Sequence, residues 1–102
     1  MSQVLSLLKQ MRGRLGMYIG LPSIIRLAAF LRGYDLAQFG GRSPDPFLPA
    51  FTDWIHQRFQ SSQHSWEETI LLHRADERDA VNRFWELLDE FIKEHPEVTA
   101  TR

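Results

Sequence analysis

Apolar side chains recur along this chain at intervals of three and four residues, the spacing that gathers them on one side of an α-helix. Val4, Leu5, Leu8 and Met11 form the first stripe, with Ser2 placed to cap it and Gly13 to stop it, which predicts a helix from Ser2 to about Arg12. Ile24, Leu27, Ala28, Leu31, Tyr34 and Gln38 share the face of a second helix, opened by Pro22 and Ser23 and closed by Gly40 and Gly41. Phe51, Trp54, Ile55, Arg58 and Phe59 mark a third, starting around Pro46 to Pro49, since proline is tolerated in a first turn. Ser65-Trp66-Glu67-Glu68 is a capping box and predicts a short fourth helix ending near His73 or Arg74. Asp76 caps the fifth and longest, whose stripe is Ala80, Val81, Phe84, Leu87, Leu88, Phe91 and Ile92. His95-Pro96 ends it, and Glu97 to Arg102 are expected to fray.

Two glycine positions complicate the pattern. Gly13, Gly16 and Gly20 break up the stretch around Met17, Tyr18 and Ile19, which predicts an extended loop pinned by those three side chains. Gly33 falls inside the second helix at a cost of about 1 kcal/mol relative to alanine, which predicts close packing there against another helix or the Tyr18 loop. No segment alternates with period two between turn signals, so strands are not expected. The expected architecture is all-α: an irregular bundle of about five helices, one domain over residues 1–102.

Composition narrows the setting. The chain has no cysteine, which excludes disulfides and thiolate metal sites and fits a reducing compartment. Met1 to Gln10 lacks the features of a secretory signal, and the longest apolar run, Leu27 to Leu31, is far short of the ~20 residues that span a bilayer. A cytoplasmic protein without a membrane segment is expected. Net charge is only −1, but it is unevenly spread. Up to Arg42, Lys9, Arg12, Arg14, Arg26, Arg32 and Arg42 face Asp35 alone, whereas from Ser43 onward twelve acidic residues outnumber six basic ones. Either the halves neutralise each other in the fold, or a basic face is kept for an acidic partner.

Candidate chemistry is sparse. His56, His64, His73 and His95 include no pair at the i, i+4 spacing of two ligands on one helix, so no metal is expected. Glu86, Asp89, Glu90 and Glu94 lie near Arg83 and Lys93 and read as a salt-bridged, solvated face. Ser23, Ser43 and Ser61 occupy cap or loop settings, and neither Gly13-Arg14-Leu15-Gly16 nor Gly40-Gly41 has the spacing that cradles a phosphate. No catalytic residue and no cofactor are expected. Arg12, Arg14, Arg26 and Arg32 could converge on nucleic acid, but the acidic half argues against a strong phosphate footprint.

The aromatic residues say more. Most fit core positions, but Trp66 stands in the first turn of a short helix, where it either packs on a neighbour or meets a partner. Phe84 and Trp85 are adjacent, so they leave their helix in different directions. With the glycine-broken segment and its arginines, this gives Arg14, Met17, Tyr18, Arg32, Tyr34 and Trp66 as candidate binding residues.

Two resemblances bear on this. Arg14 through Gly20, reading Arg-Leu-Gly-Met-Tyr-Ile-Gly, resembles a segment near the start of type II topoisomerase ATPase subunits, with Leu15 in place of a proline. The glycine-rich nucleotide loops and catalytic-glutamate helix of those subunits have no counterpart here, so the likeness implies a glycine-hinged loop and not ATP binding. Over nearly the full length, the order Gly16-Met17-Tyr18-Ile19-Gly20, Phe30-Leu31-Arg32-Gly33-Tyr34, Phe51 to Trp54, His64-Ser65-Trp66 and Arg83 to Phe91 resembles a family of small bacterial proteins. Some of those look similar to immunity proteins found beside polymorphic toxins. The resemblance implies a helical fold and a bacterial origin. A complete core pattern, the lack of a catalytic set and the uneven charge make the leading expectation a small module that binds, masks or regulates another protein, as a toxin-neutralising partner does. The alternative is a small-molecule or enzymatic pocket around Arg14, Tyr18, Arg32 and Tyr34.

Overall fold

Each expected helix forms where its stripe and cap require it. In a computed structural model, which describes residues 2–40 and 45–99, the chain folds into α1 (Gln3–Met11), α2 (Gly16–Ile19), α3 (Ile24–Phe39), α4 (Phe47–Phe59), α5 (Trp66–Leu71), α6 (Glu77–Glu94) and α7 (Pro96–Thr99). There is no strand among the described residues. Seven helical segments stand among the described residues where about five were expected, because single-turn helices form at α2 and α7. Glu97 to Thr99, expected to fray, belong to α7, and residues 100–102 lie outside the described ones. Gly13 and Gly40 take positive φ beyond α1 and α3, as expected, while Gly41 is outside the described residues.

Side-chain caps satisfy the first-turn N–H groups that a helix leaves open. Ser2 accepts from Leu5 N–H, Ser23 from Arg26 N–H and Asp76 from Asp79 N–H, and Ser65 with Glu68 completes the capping box. Ser2 does more than cap. Its hydroxyl donates to Asp45 at 2.7 Å, and the same carboxylate accepts the N–H groups of Val4 and Phe47 at 3.0 Å each. One buried carboxylate thus ties together the starts of α1 and α4, a link that no spacing pattern announces.

The core is aromatic. Phe51 stacks on Phe47 and meets Trp66, Phe84 and Phe91 edge-on at centroid distances of 5.4 to 5.7 Å. Around it close Val4, Leu5, Leu8 and Met11 of α1, Ile24, Leu27, Ala28 and Leu31 of α3, and Ala80 to Phe91 of α6. The Cα radius of gyration is 13.0 Å, matching the ~13 Å expected of one compact domain of 100 residues. No helix among the described residues is long and apolar enough to cross a membrane.

The opposite charges of the two halves pair in the folded chain. Arg12 forms a fork to Asp89 at 2.7 and 2.9 Å and lies over the Trp85 ring at 5.2 Å. Arg32 forms another to Glu67 at 2.8 Å for both bonds. Within the acidic half, Arg58 pairs with Glu90 and covers Trp54, and Arg83 pairs with Glu86.

Candidate protein-interaction surface

α3 is the element on which an interaction surface can be built, because it is apolar on both sides. Its inner face, Ile24, Leu27, Ala28 and Leu31, is fully buried. Its outer face carries Ile25, Ala29, Gly33 and Leu36, which follow one another at four- and three-residue steps and are all exposed. A helix that packs on one side and meets water on the other normally shows charge outside. On this side the charges are Arg26 and Arg32, the latter held by Glu67, and the other exposed residues from Ile25 to Leu36 are aliphatic or glycine.

The surface continues from α3 onto α2. Gly20 turns the chain between them at φ 85°, a left-handed region that glycine enters without a Cβ clash. Arg26 fastens this turn by donating to the Ile19 carbonyl at 2.9 Å. Tyr18 is half-buried, its ring edge-on to Phe30 at 6.1 Å, and anchors α2 on α3. That anchoring turns Met17 outward, 80% exposed, with Leu21 at 56%, Ile25 at 42% and Leu36 at 60%. Four large apolar side chains therefore lie open along α2 and the outer side of α3. Isolated exposed apolar residues are ordinary, whereas a continuous strip of them marks a contact surface.

Two arginines sit at the α2 end of the strip. Arg14 accepts the Met17 N–H through its carbonyl, one turn before the exposed methionine, and its side chain is exposed. Arg26 is exposed too. Among the described residues neither has a carboxylate within ion-pair distance.

The six expected binding residues separate into two sets. Arg14, Met17 and Tyr18 come together around α2, Met17 on the strip, Arg14 just before the helix and Tyr18 half-buried behind it against Phe30. The others do not. Trp66 is 2% exposed, packed against Phe51 and Phe84, so its ring faces the core and is not open to a partner. Arg32 is held by Glu67, whose carboxylate is nearly buried; burial is the largest influence and raises the Glu67 pKa, but the Arg32 hydrogen bonds and charge, with backbone and Ser65 hydrogen bonds, together bring it below the ordinary range. Tyr34 is half-buried against the core. Arg32 and Tyr34 leave the helix about 160° apart at 3.6 residues per turn, so the two cannot line one pocket with Arg14 and Tyr18.

The segment around Met17 is a helical turn and not an extended loop, and Met17 projects away from it instead of pinning it. Gly33 has nothing within 4 Å of the position a Cβ would take, so no packing inside the domain accounts for it. The sequence reading also missed Leu21, Ile25 and Leu36. Their signal was the excess of apolar residues in the second helix beyond those its core stripe needs.

A shallow pocket of about 310 Å³ lies elsewhere, lined by His64, Glu68, Leu71 and Leu72. The histidines have structural partners: His56 donates to the His64 carbonyl, His73 to that of Thr69, and His95 stacks on Phe91. No three potential metal ligands gather among the described residues. The chain matches no protein-family profile, no curated protein and no solved structure.

Proposed function

We propose that this chain is a protein-binding domain that masks or regulates another protein, as a toxin-neutralising partner does, and that it docks through α2 and the outer face of α3. The observation that carries the reading is the exposed set of Met17 on α2, Leu21 in the link and Ile25 and Leu36 on α3, a helix whose other side already fills the core. Such a face costs solubility if nothing covers it, and covering it removes apolar surface from water, the main driving force of protein association. Gly33 supports the same reading, since a glycine open to the outside lets another backbone approach closely.

The test places a photo-crosslinking amino acid at Leu36 and, as a control, at exposed Gln57 on α4, in lysate of the source organism. A single protein crosslinked from position 36 and not from 57, and lost when Ile25→Asp is added to the position-36 chain, is the expected result. A folded, abundant bait that crosslinks nothing from position 36 overturns the proposal.

A further inference from the structure

Resting on that reading, we infer that the segment docking on this face is an amphipathic helix carrying acidic residues at the end that lies over α2. The strip follows a single helix for Ile25 to Leu36, about 17 Å at 1.5 Å per residue, which is the footprint of another helix and not of a broad domain face. Ala29 and Gly33 lie between the larger Ile25 and Leu36, leaving a shallow saddle in which a second helix axis can come close.

Charge selects the occupant. Other cations of the N-terminal half are consumed inside the fold, Arg12 by Asp89 and Arg32 by Glu67. Arg14 and Arg26, on either side of Met17 and Leu21, have no such carboxylate among the described residues. A helix that buries its apolar stripe on Ile25 and Leu36 places its own flanking residues against these two guanidinium groups. Carboxylates there gain charge-assisted hydrogen bonds, and ammonium groups meet like charge. A second copy laid parallel on this face sets arginines against Arg14 and Arg26, so the occupant inferred is an acidic helix of another protein, with an antiparallel dimer as the rival that the test separates.

The probes are two fluorescein-labelled 18-residue amphipathic peptides with the same leucine and alanine stripe, one flanked by glutamates and one by lysines. Anisotropy titration of the intact protein at low salt is expected to show the acidic peptide binding at least tenfold more tightly. Arg14→Glu should reduce that preference severalfold or invert it, and Leu36→Ser should weaken both peptides without changing their ratio, with circular dichroism unchanged in each. Equal affinity for the two peptides overturns the acidic-helix inference while leaving a protein-binding face in place. Binding of neither peptide, with sedimentation showing a dimer, overturns it in favour of a second copy as the cover. Binding of neither by a monomer overturns it and also removes the support that the exposed strip gives to the functional reading.

Discussion

At the scale of single residues, Asp45 and Trp66 hold positions that composition does not distinguish from their neighbours. Asp45 accepts from the Ser2 hydroxyl and from the Val4 and Phe47 N–H groups in a buried site, so Asp45→Ala strands donors that water cannot reach. Hydrogen bonds to a charged group contribute about 1.5 to 3 kcal/mol each in difference measurements and do not add simply, so a loss of about 3 kcal/mol is expected in urea unfolding. Trp66→Ala removes the ring that meets both Phe51 and Phe84, and truncations of this kind cost about 3 to 5 kcal/mol. That is a large part of the stability of a domain this size, so the variant should melt well below the parent by circular dichroism. A variant that kept its melting temperature would return Trp66 to the surface. On the outer strip the expectation reverses: Met17→Ser should leave stability within about 0.5 kcal/mol, because little apolar contact is lost.

Among the elements, α3 separates what the sequence discloses from what it conceals. Helix starts were legible because caps act locally: Ser2, Ser23, Ser65 and Asp76 all cap where their spacing to the first stripe residue places them. The inner face of α3 was legible for the same reason of period. Its outer face was not, because a pattern of burial identifies the side facing the core and is silent on a second apolar side. The partners of Arg32 and Asp45 were hidden as well, since contacts 35 and 41 residues away depend on how helices pack and not on local spacing. Gly33 joins both lessons: sequence marks it as costly, and only the fold shows that the cost has no return within the domain. Gly33→Ala should therefore stabilise the isolated protein by about 0.5 to 1 kcal/mol, since the new methyl meets nothing and the helical backbone suits alanine. The melting temperature checks this, and a destabilised variant would show that the position is already packed.

For the whole molecule, the uneven charge becomes a set of clasps, and their pH dependence follows from the carboxylates. Arg74 donates to Asp79 through two nitrogens at 2.9 and 2.7 Å, and Ala75 N–H adds a third bond at 3.1 Å, across the turn from α5 to α6. These hydrogen bonds, the Arg74 side chain first and the Ala75 backbone second, hold the Asp79 carboxyl down to about 2. Hydrogen bonds from Arg12 likewise lower Asp89, and Glu67 is below the ordinary range despite its burial. A carboxyl whose folded pKa lies under its unfolded value binds fewer protons when folded, so its stabilisation is complete above the unfolded value of about 4 and fades as pH falls through the folded one. Unfolding free energy should accordingly hold level from neutral pH to about 5 on this account and decline from there toward pH 2. Asp79→Asn lacks one of the ionisations responsible, so its deficit relative to the parent should be full from pH 7 to about 5 and narrow below that toward pH 2. Urea unfolding at pH 7, 4 and 2.5 measures this directly. A deficit that stayed constant with pH would mean that the ionisation of Asp79 adds nothing, the loss coming instead from the amide NH2, which cannot accept where one carboxylate oxygen does.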